Sequence, residues 1–213
     1  MKLIIFDLDG TLLDTIDDLG NAVNRILEEY DLPQHDLPSY KMRVGRGMRN
    51  LVKAALPQDY KDRDVFVDCF LKRFLSYYMD HIDVATRPYP GIPELVRKLD
   101  FEGYKLAVAS NKLQAGTDRL IRKFFPDIPF VAVCGNSPEY PLKPDAALVR
   151  YIIEKAGVRP EDTVMIGDSE IDIHTAHNAG IPAIAVTWGF RPEESLLDAD
   201  HIVRDVKEIE DYI

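Results

Sequence analysis

Residues 2–15 read KLIIFDLDGTLLDT, and the fold turns on how this stretch is understood. Residues 2–8 are a short apolar run with β-branched and aromatic members, the pattern of a strand buried in a parallel sheet. Gly10 and Thr11 break the run. Asp7 and Asp9 stand at its end, and residues two apart on a strand share a face. Two carboxylates held that close cannot both stay ionised without a cation or a shared proton. Taken alone, the pair also fits a plainer reading, a strand-end turn closed by an Asx hydrogen bond.

Working outward, Ile16, Leu19, Val23, Ile26, Leu27 and Tyr30 follow a helical period. Asp17 and Asp18 fall in the first turn, where negative charge suits the helix dipole. Pro33 and Pro38 mark a linker. Residues 39–56 look helical, interrupted at Gly45, Arg46 and Gly47, and residues 62–83 carry Val65, Phe66, Cys69, Phe70, Phe74 and Tyr77 as an apolar helix face. Residues 15–84 thus contain helices and no convincing strand. After the turn cluster RPYPG at 87–91 the texture alternates. Helices are predicted over 92–101, 114–125, 145–156 and 171–179. Strands are predicted at LAVAS (106–110), FVAV (130–133), TVMIG (163–167), PAIAV (182–186) and HIV (201–203), with a last helix to follow. Alternation of this kind predicts an α/β fold with a doubly wound parallel sheet, built from residues 1–14 and 85–213. Residues 15–84 are then a helical insertion after the first strand.

The chain has 213 residues, enough for one substantial core with a small inserted domain. Hydrophobic residues make up 46% and charged residues 29%, an ordinary globular balance. No apolar run approaches the roughly 20 residues that span a bilayer. The N-terminal apolar stretch ends in carboxylates, so it reads as neither signal peptide nor anchor, and a cytoplasmic protein is expected. Cys69 and Cys134 are too few and too far apart for a disulfide framework or a zinc site, and read as small buried residues. The net charge of -10 disfavours nucleic acid and anionic lipid as partners. It would equally repel a phosphorylated substrate, so phosphate chemistry here requires locally concentrated positive charge.

The same sequence supplies such a locality at predicted strand ends. Asp168 and Asp172 lie in GDSEID directly after TVMIG. Parallel sheets place ligands outside the carboxyl ends of their strands. Carboxylates gathered there suit Mg²⁺, which prefers oxygen ligands, whereas the lack of histidine or thiolate argues against zinc. Ser110 and Asn111 end LAVAS, where a hydroxyl and backbone amides can bind a phosphate oxygen; a serine at that point is otherwise a helix N-cap. Lys143, in PLKPD between Pro141 and Pro144, is the positive charge the site needs, although a lone loop lysine is ordinarily solvated surface.

FDLDGTLLDT, Ser110, Lys143 and GDSEID, in this order along the whole chain, resemble the four motifs of the haloacid dehalogenase superfamily. The inserted helices are similar to that family's first type of helical cap. Within the superfamily, DLDGTLLDT (7–15), VGRGMRNLV (44–52) and TWGF (187–190) look most like bacterial phosphoglycolate phosphatases. The resemblance implies hydrolysis of a small phosphorylated metabolite through an aspartyl phosphate on Asp7, with Asp9 as general acid and then base. It implies Mg²⁺ held by Asp7, the Asp9 backbone carbonyl and Asp168, supported by Asp172, and a phosphate cradled by Ser110, Asn111 and Lys143. Thr11 would help to position the Asp9 region, or serve a simple turn. Gly45, Arg46 and Gly47 of the cap, with Arg49, would meet the leaving group, or else form a glycine-broken helix with solvated arginines. Phosphonatases of the family lack the second carboxylate, so an ester or anhydride substrate is favoured.

Alternatives on the same scaffold are a β-phosphoglucomutase or a pyrophosphatase. A phosphoacceptor receiver domain or a catalytically inactive binding protein belongs to a different class. His174 and His177, three apart, read as a surface helix. Trp188, Gly189 and Phe190 either wall the site or form a packed loop. Oligomeric state is not legible.

Overall fold

The computed structural model describes residues 2–213. In chain order its elements are β1 (Leu3–Phe6), β2 (Leu13–Asp14), α1 (Ile16–Glu29), α2 (Met48–Ala55), α3 (Gln58–Lys61), α4 (Asp64–His81), β3 (Arg87–Pro88), α5 (Ile92–Phe101), β4 (Lys105–Leu113), α6 (Gln114–Phe124), β5 (Ala132–Asn136), α7 (Ala147–Ala156), β6 (Thr163–Gly167), α8 (Glu170–Ala179), β7 (Ala183–Val186) and β8 (His201–Val203). Short 3₁₀ turns join several of them, and the last predicted helix is a 3₁₀ segment, Val206–Tyr212.

Six strands form one sheet in the order β5-β4-β1-β6-β7-β8, every neighbouring pair parallel. The alternation within β1 explains why both faces are covered. Ile4 and Phe6 join one apolar layer with Leu95, Val96, Leu99 and Leu120, while Leu3 and Ile5 join the other with Leu148, Val149, Ile152 and Ala176. Because β1 is central, its carboxyl end is flanked by those of β4 and β6, a topological switch point where α/β sheets bind ligands.

Helices α1–α4 lie between β2 and β3, which pair antiparallel through Leu13 with Pro88 and Asp14 with Arg87. A second tie fixes this junction. The buried Asp18 carboxylate accepts hydrogen bonds from the amides of Ala85 and Thr86 at 2.9 and 2.8 Å and from the Thr86 hydroxyl at 2.8 Å. Asp18 was expected only to favour the helix dipole; its larger task is to fasten the chain where it leaves α4.

Two expectations about burial are corrected. Of the apolar face predicted for α4, Phe70 and Phe74 are buried, with Val67 and Tyr78 beside them, whereas Val65 is 80% exposed and Cys69 is exposed. α4 packs on both α1 and α2, and that contact selects the stripe one step round from the one the apolar residues suggest. Cys134 is half-buried, so neither cysteine is a fully buried core residue. Among the described residues, no helix is long and apolar enough to cross a membrane.

Candidate active site

Strand β1 ends at Phe6, and Asp7 and Asp9 follow it on a loop from which both line one cleft. Residues 8–13 form a tight loop in which the amides of Leu12 and Leu13 donate to the Leu8 carbonyl and Gly10 N–H donates to the Leu13 carbonyl. The loop sends the two carboxylates to different partners. Asp7 Oδ1 accepts from Lys143 Nζ at 2.7 Å, while Asp9 accepts from Lys112 Nζ at 3.0 Å and from the Thr15 hydroxyl at 2.7 Å. Gly10 permits this course. Its φ is +93°, and a Cβ there would stand 2.3 Å from Asp168 Oδ2.

Asp168 follows β6 and accepts the Phe190 N–H at 2.7 Å. A Cβ on Gly189 would collide with the Asp168 side chain, so the TWGF loop closes against this carboxylate because residue 189 has none. Asp172 is the third residue of α8 and forms a capping box with Ser169, whose amide and hydroxyl donate to Asp172 Oδ2. Its Oδ1 accepts from Lys143 Nζ at 2.6 Å, and Lys143 also donates to the Ala109 carbonyl at 2.8 Å.

Asp7, Asp168 and Asp172 are all buried, and each offers an oxygen within 4.8 Å of the others. Three carboxylates face one ammonium. Burial pushes Asp7 up to about 7, against the pull of Lys143 and helped by the charge on Asp172. Burial likewise pushes Asp168 well above the usual carboxylate range, with Asp172 and Asp7 adding to it. Burial works against the Lys143 ammonium, yet Asp172 and Asp7 outweigh it and hold its pKa above the ordinary lysine value. Such a cluster is short of positive charge in a low-dielectric place. An all-oxygen donor set with that deficit fits a hard divalent cation such as Mg²⁺.

These residues open onto a cleft lined also by Asp9, Ser110, Asn111, Lys112, Phe190 and Arg191. The inserted helices contribute Leu19, Val44, Gly45, Gly47, Met48 and Leu51 to its opposite wall.

Most residues singled out in the sequence meet here, but three do not. Arg46 is exposed and points away, to Glu170 at 3.4 Å. Arg49 pairs with Asp64 and Asp68 of α4. Thr11 is fully buried, lines no part of the cleft, and its hydroxyl has no hydrogen-bond partner. Asn111 lines the cleft with its side chain already committed. It donates to the carbonyls of Gly45 and Lys143 at 2.8 and 3.0 Å and accepts the Lys143 N–H at 2.8 Å. It therefore latches the inserted helices to the Lys143 loop. His174 and His177 are exposed on α8, as read.

Two residues of the cleft escaped sequence reasoning. Lys112 is wholly buried. Its signal was its place two residues after Ser110 in SNK, at the end of a strand already recognised. Arg191 is also buried and donates to the Val44 carbonyl at 2.7 Å and to that of Lys41, while pairing with Glu170. It joins Asn111 in holding the segment before α2, and nothing local in the sequence marks it.

A family model described as haloacid dehalogenase-like hydrolase matches residues 4–186. The phosphoglycolate phosphatase of Mesorhizobium japonicum is 37% identical over 189 residues, 88% of this chain and 83% of that protein. The phosphoglycolate phosphatase of Mannheimia succiniciproducens is 33% identical over 215 residues, covering 98% of this chain and 96% of its own. A crystal structure of a predicted phosphoglycolate phosphatase from Haemophilus somnus superposes with a TM-score of 0.89 at 29% identity, covering 99% of this chain and 97% of that one.

Proposed function

Because the chain belongs to the haloacid dehalogenase-like hydrolases, we propose that it is a Mg²⁺-dependent phosphatase working through an aspartyl phosphate on Asp7, with 2-phosphoglycolate as its substrate. The observation that carries this reading is the state of Asp7. Its Oδ1 is held by Lys143, and its Oδ2 accepts no hydrogen bond from the protein at the floor of the cleft. One oxygen is thus fixed and the other is available to attack.

In the first step Asp7 Oδ2 forms a bond to phosphorus in line with the leaving oxygen. The bond between phosphorus and that oxygen breaks, its electron pair stays on the oxygen, and Asp9 delivers a proton to it. In the second step Asp9 takes a proton from water as the water oxygen attacks phosphorus, and the bond to Asp7 breaks. Acid–base help of this kind is typically worth about 10²–10⁴-fold. Lys143 and the Ser110 hydroxyl meet the phosphoryl oxygens. Asp7 and Asp168 with the Asp9 carbonyl, supported by Asp172, would hold Mg²⁺, which would supply the remaining positive charge. Residues 15–84 act as a cap that excludes water from the first step.

The leaving group meets an apolar wall of Leu19, Val44, Met48 and Leu51. With Arg46 and Arg49 engaged elsewhere, the polar groups this wall offers are the backbone at Gly45 and Gly47. A cytoplasmic setting belongs to the same reading.

The test is phosphate release from 2-phosphoglycolate, sugar phosphates and pyrophosphate, with Mg²⁺ and with EDTA. The expected result is Mg²⁺-dependent turnover with 2-phosphoglycolate preferred. Preference for a sugar phosphate or pyrophosphate would replace the substrate assignment, and full turnover in EDTA would overturn the metal role.

A further inference from the structure

Lys112 is a buried cation in the cleft that the steps above leave without a task. Its side chain is 0% exposed, and Nζ donates to Asp9 Oδ1 at 3.0 Å, to Asp9 Oδ2 at 3.3 Å and to the Tyr78 hydroxyl at 2.5 Å. Tyr78 comes from α4, one of the inserted helices, and is itself buried, stacked on Phe74 with ring centroids 5.5 Å apart. The chain Tyr78–Lys112–Asp9 therefore crosses from the inserted helices to the sheet. Asp9 Oδ1 receives two donors, Lys112 Nζ and the Thr15 hydroxyl at 2.7 Å, whereas Oδ2 has only the longer contact to Lys112.

Resting on the acid–base role proposed for Asp9, we infer that Lys112 is a positioning residue for that carboxylate, anchoring Oδ1 so that Oδ2 is the oxygen that exchanges protons with the leaving group and with water. Tyr78 completes the anchor from the inserted helices, so the carboxylate is fully held only while those helices are seated. Lys112 differs in this from Lys143, whose ammonium donates to Asp7, Asp172 and the Ala109 carbonyl and to no residue of α4. An ion pair that merely stabilised the fold would not distinguish one leaving group from another. A residue that aims the general acid must do so, because only a strongly basic leaving oxygen needs the proton.

The experiment compares kcat/KM of Lys112→Met and Tyr78→Phe on two phosphate esters at saturating Mg²⁺, with Asp9→Asn as reference. One ester, 2-phosphoglycolate, leaves as an alkoxide. The other, 2,4-dinitrophenyl phosphate, leaves as a weakly basic phenolate. Lys112→Met is expected to lose about 30-fold on the first and less than about threefold on the second. Tyr78→Phe should show the same selectivity at about fivefold. Equal losses on both esters, or none on either, would overturn the inference. If Lys112→Met does not fold, Tyr78→Phe decides by the same criterion. If Asp9→Asn itself loses equally on both esters, the acid–base role fails. If Asp9→Asn is selective and the Lys112 and Tyr78 variants are not, only the positioning role fails.

Discussion

The wall of the cleft that comes from the sheet presents Asp7, Asp9, Lys112, Lys143, Asp168 and Asp172, each tied to another by hydrogen bonds or charge. The wall that comes from the inserted helices presents Leu19, Val44, Met48 and Leu51, while its nearby arginines pair elsewhere, Arg46 with half-buried Glu170 and Arg49 with exposed Asp64 and Asp68. The difference is one of task. Groups that must meet a phosphoryl centre to within a fraction of an ångström sit on strand ends, where the sheet fixes the backbone. The wall facing the leaving group contributes shape and dryness, which raise the worth of every charge opposite it. Asn111 and Arg191 cross between the two by gripping backbone carbonyls at Gly45 and Val44.

Breaking the charged wall should have the largest effect. Asp7→Asn is expected to lower kcat by more than about 10⁴-fold with the fold intact by circular dichroism, since it removes the attacking oxygen. Lys143→Met follows, with a loss of about 10²–10³-fold, because one preorganised charge at the phosphoryl group is worth roughly 3–4 kcal/mol.

Next comes stability. With the folded-state pKa of Asp7 raised from 3.8 to about 7, the metal-free folded protein keeps a proton between those values that the unfolded chain has released. The unfolded state then binds fewer protons, so this group's contribution to stability falls as pH rises from about 4 to about 7. Metal-free Asp7→Asn should accordingly melt higher than the parent above pH 7, by on the order of a few kcal/mol, and the gap should close towards pH 4. A gap that stays constant with pH would contradict the buried-charge account.

Breaking the apolar wall should cost less and differently. Met48→Ala is expected to raise KM for 2-phosphoglycolate by about three- to tenfold with kcat nearly kept, as loss of uniform binding does. The smallest effect sharpens the contrast. Arg46→Ala, though in a segment that resembles the phosphoglycolate phosphatases, should change kcat/KM by less than about twofold, because the Arg46 side chain is itself 69% exposed.

The same two walls differ in how legible they are. Much of the sheet wall could be read from the sequence because Asp7 follows LIIF, Ser110 ends LAVAS and Asp168 follows TVMIG, each a short apolar run with its own strand signature. Lys112 was hidden because β4 runs on to Leu113, past the apolar run that was taken to end the strand. Among the inserted helices the sequence left Arg46 open between meeting the leaving group and solvent, and it put Val65 on a buried face, because helical periodicity names a face without naming what covers it. On α4 the covering helices α1 and α2 decided the buried stripe. Arg191 and Asn111 act through backbone carbonyls, which carry no residue identity for a sequence to show.

The attack of Asp7 on phosphorus is tested most directly by trapping what it forms. Asp9→Asn protein given 2,4-dinitrophenyl phosphate and Mg²⁺, quenched in acid and sequenced by peptide mass spectrometry, should carry one phosphoryl group on Asp7, and none when Asp7 is also replaced. A phosphoryl group on any other residue, or undiminished turnover by Asp7→Asn alone, would contradict it.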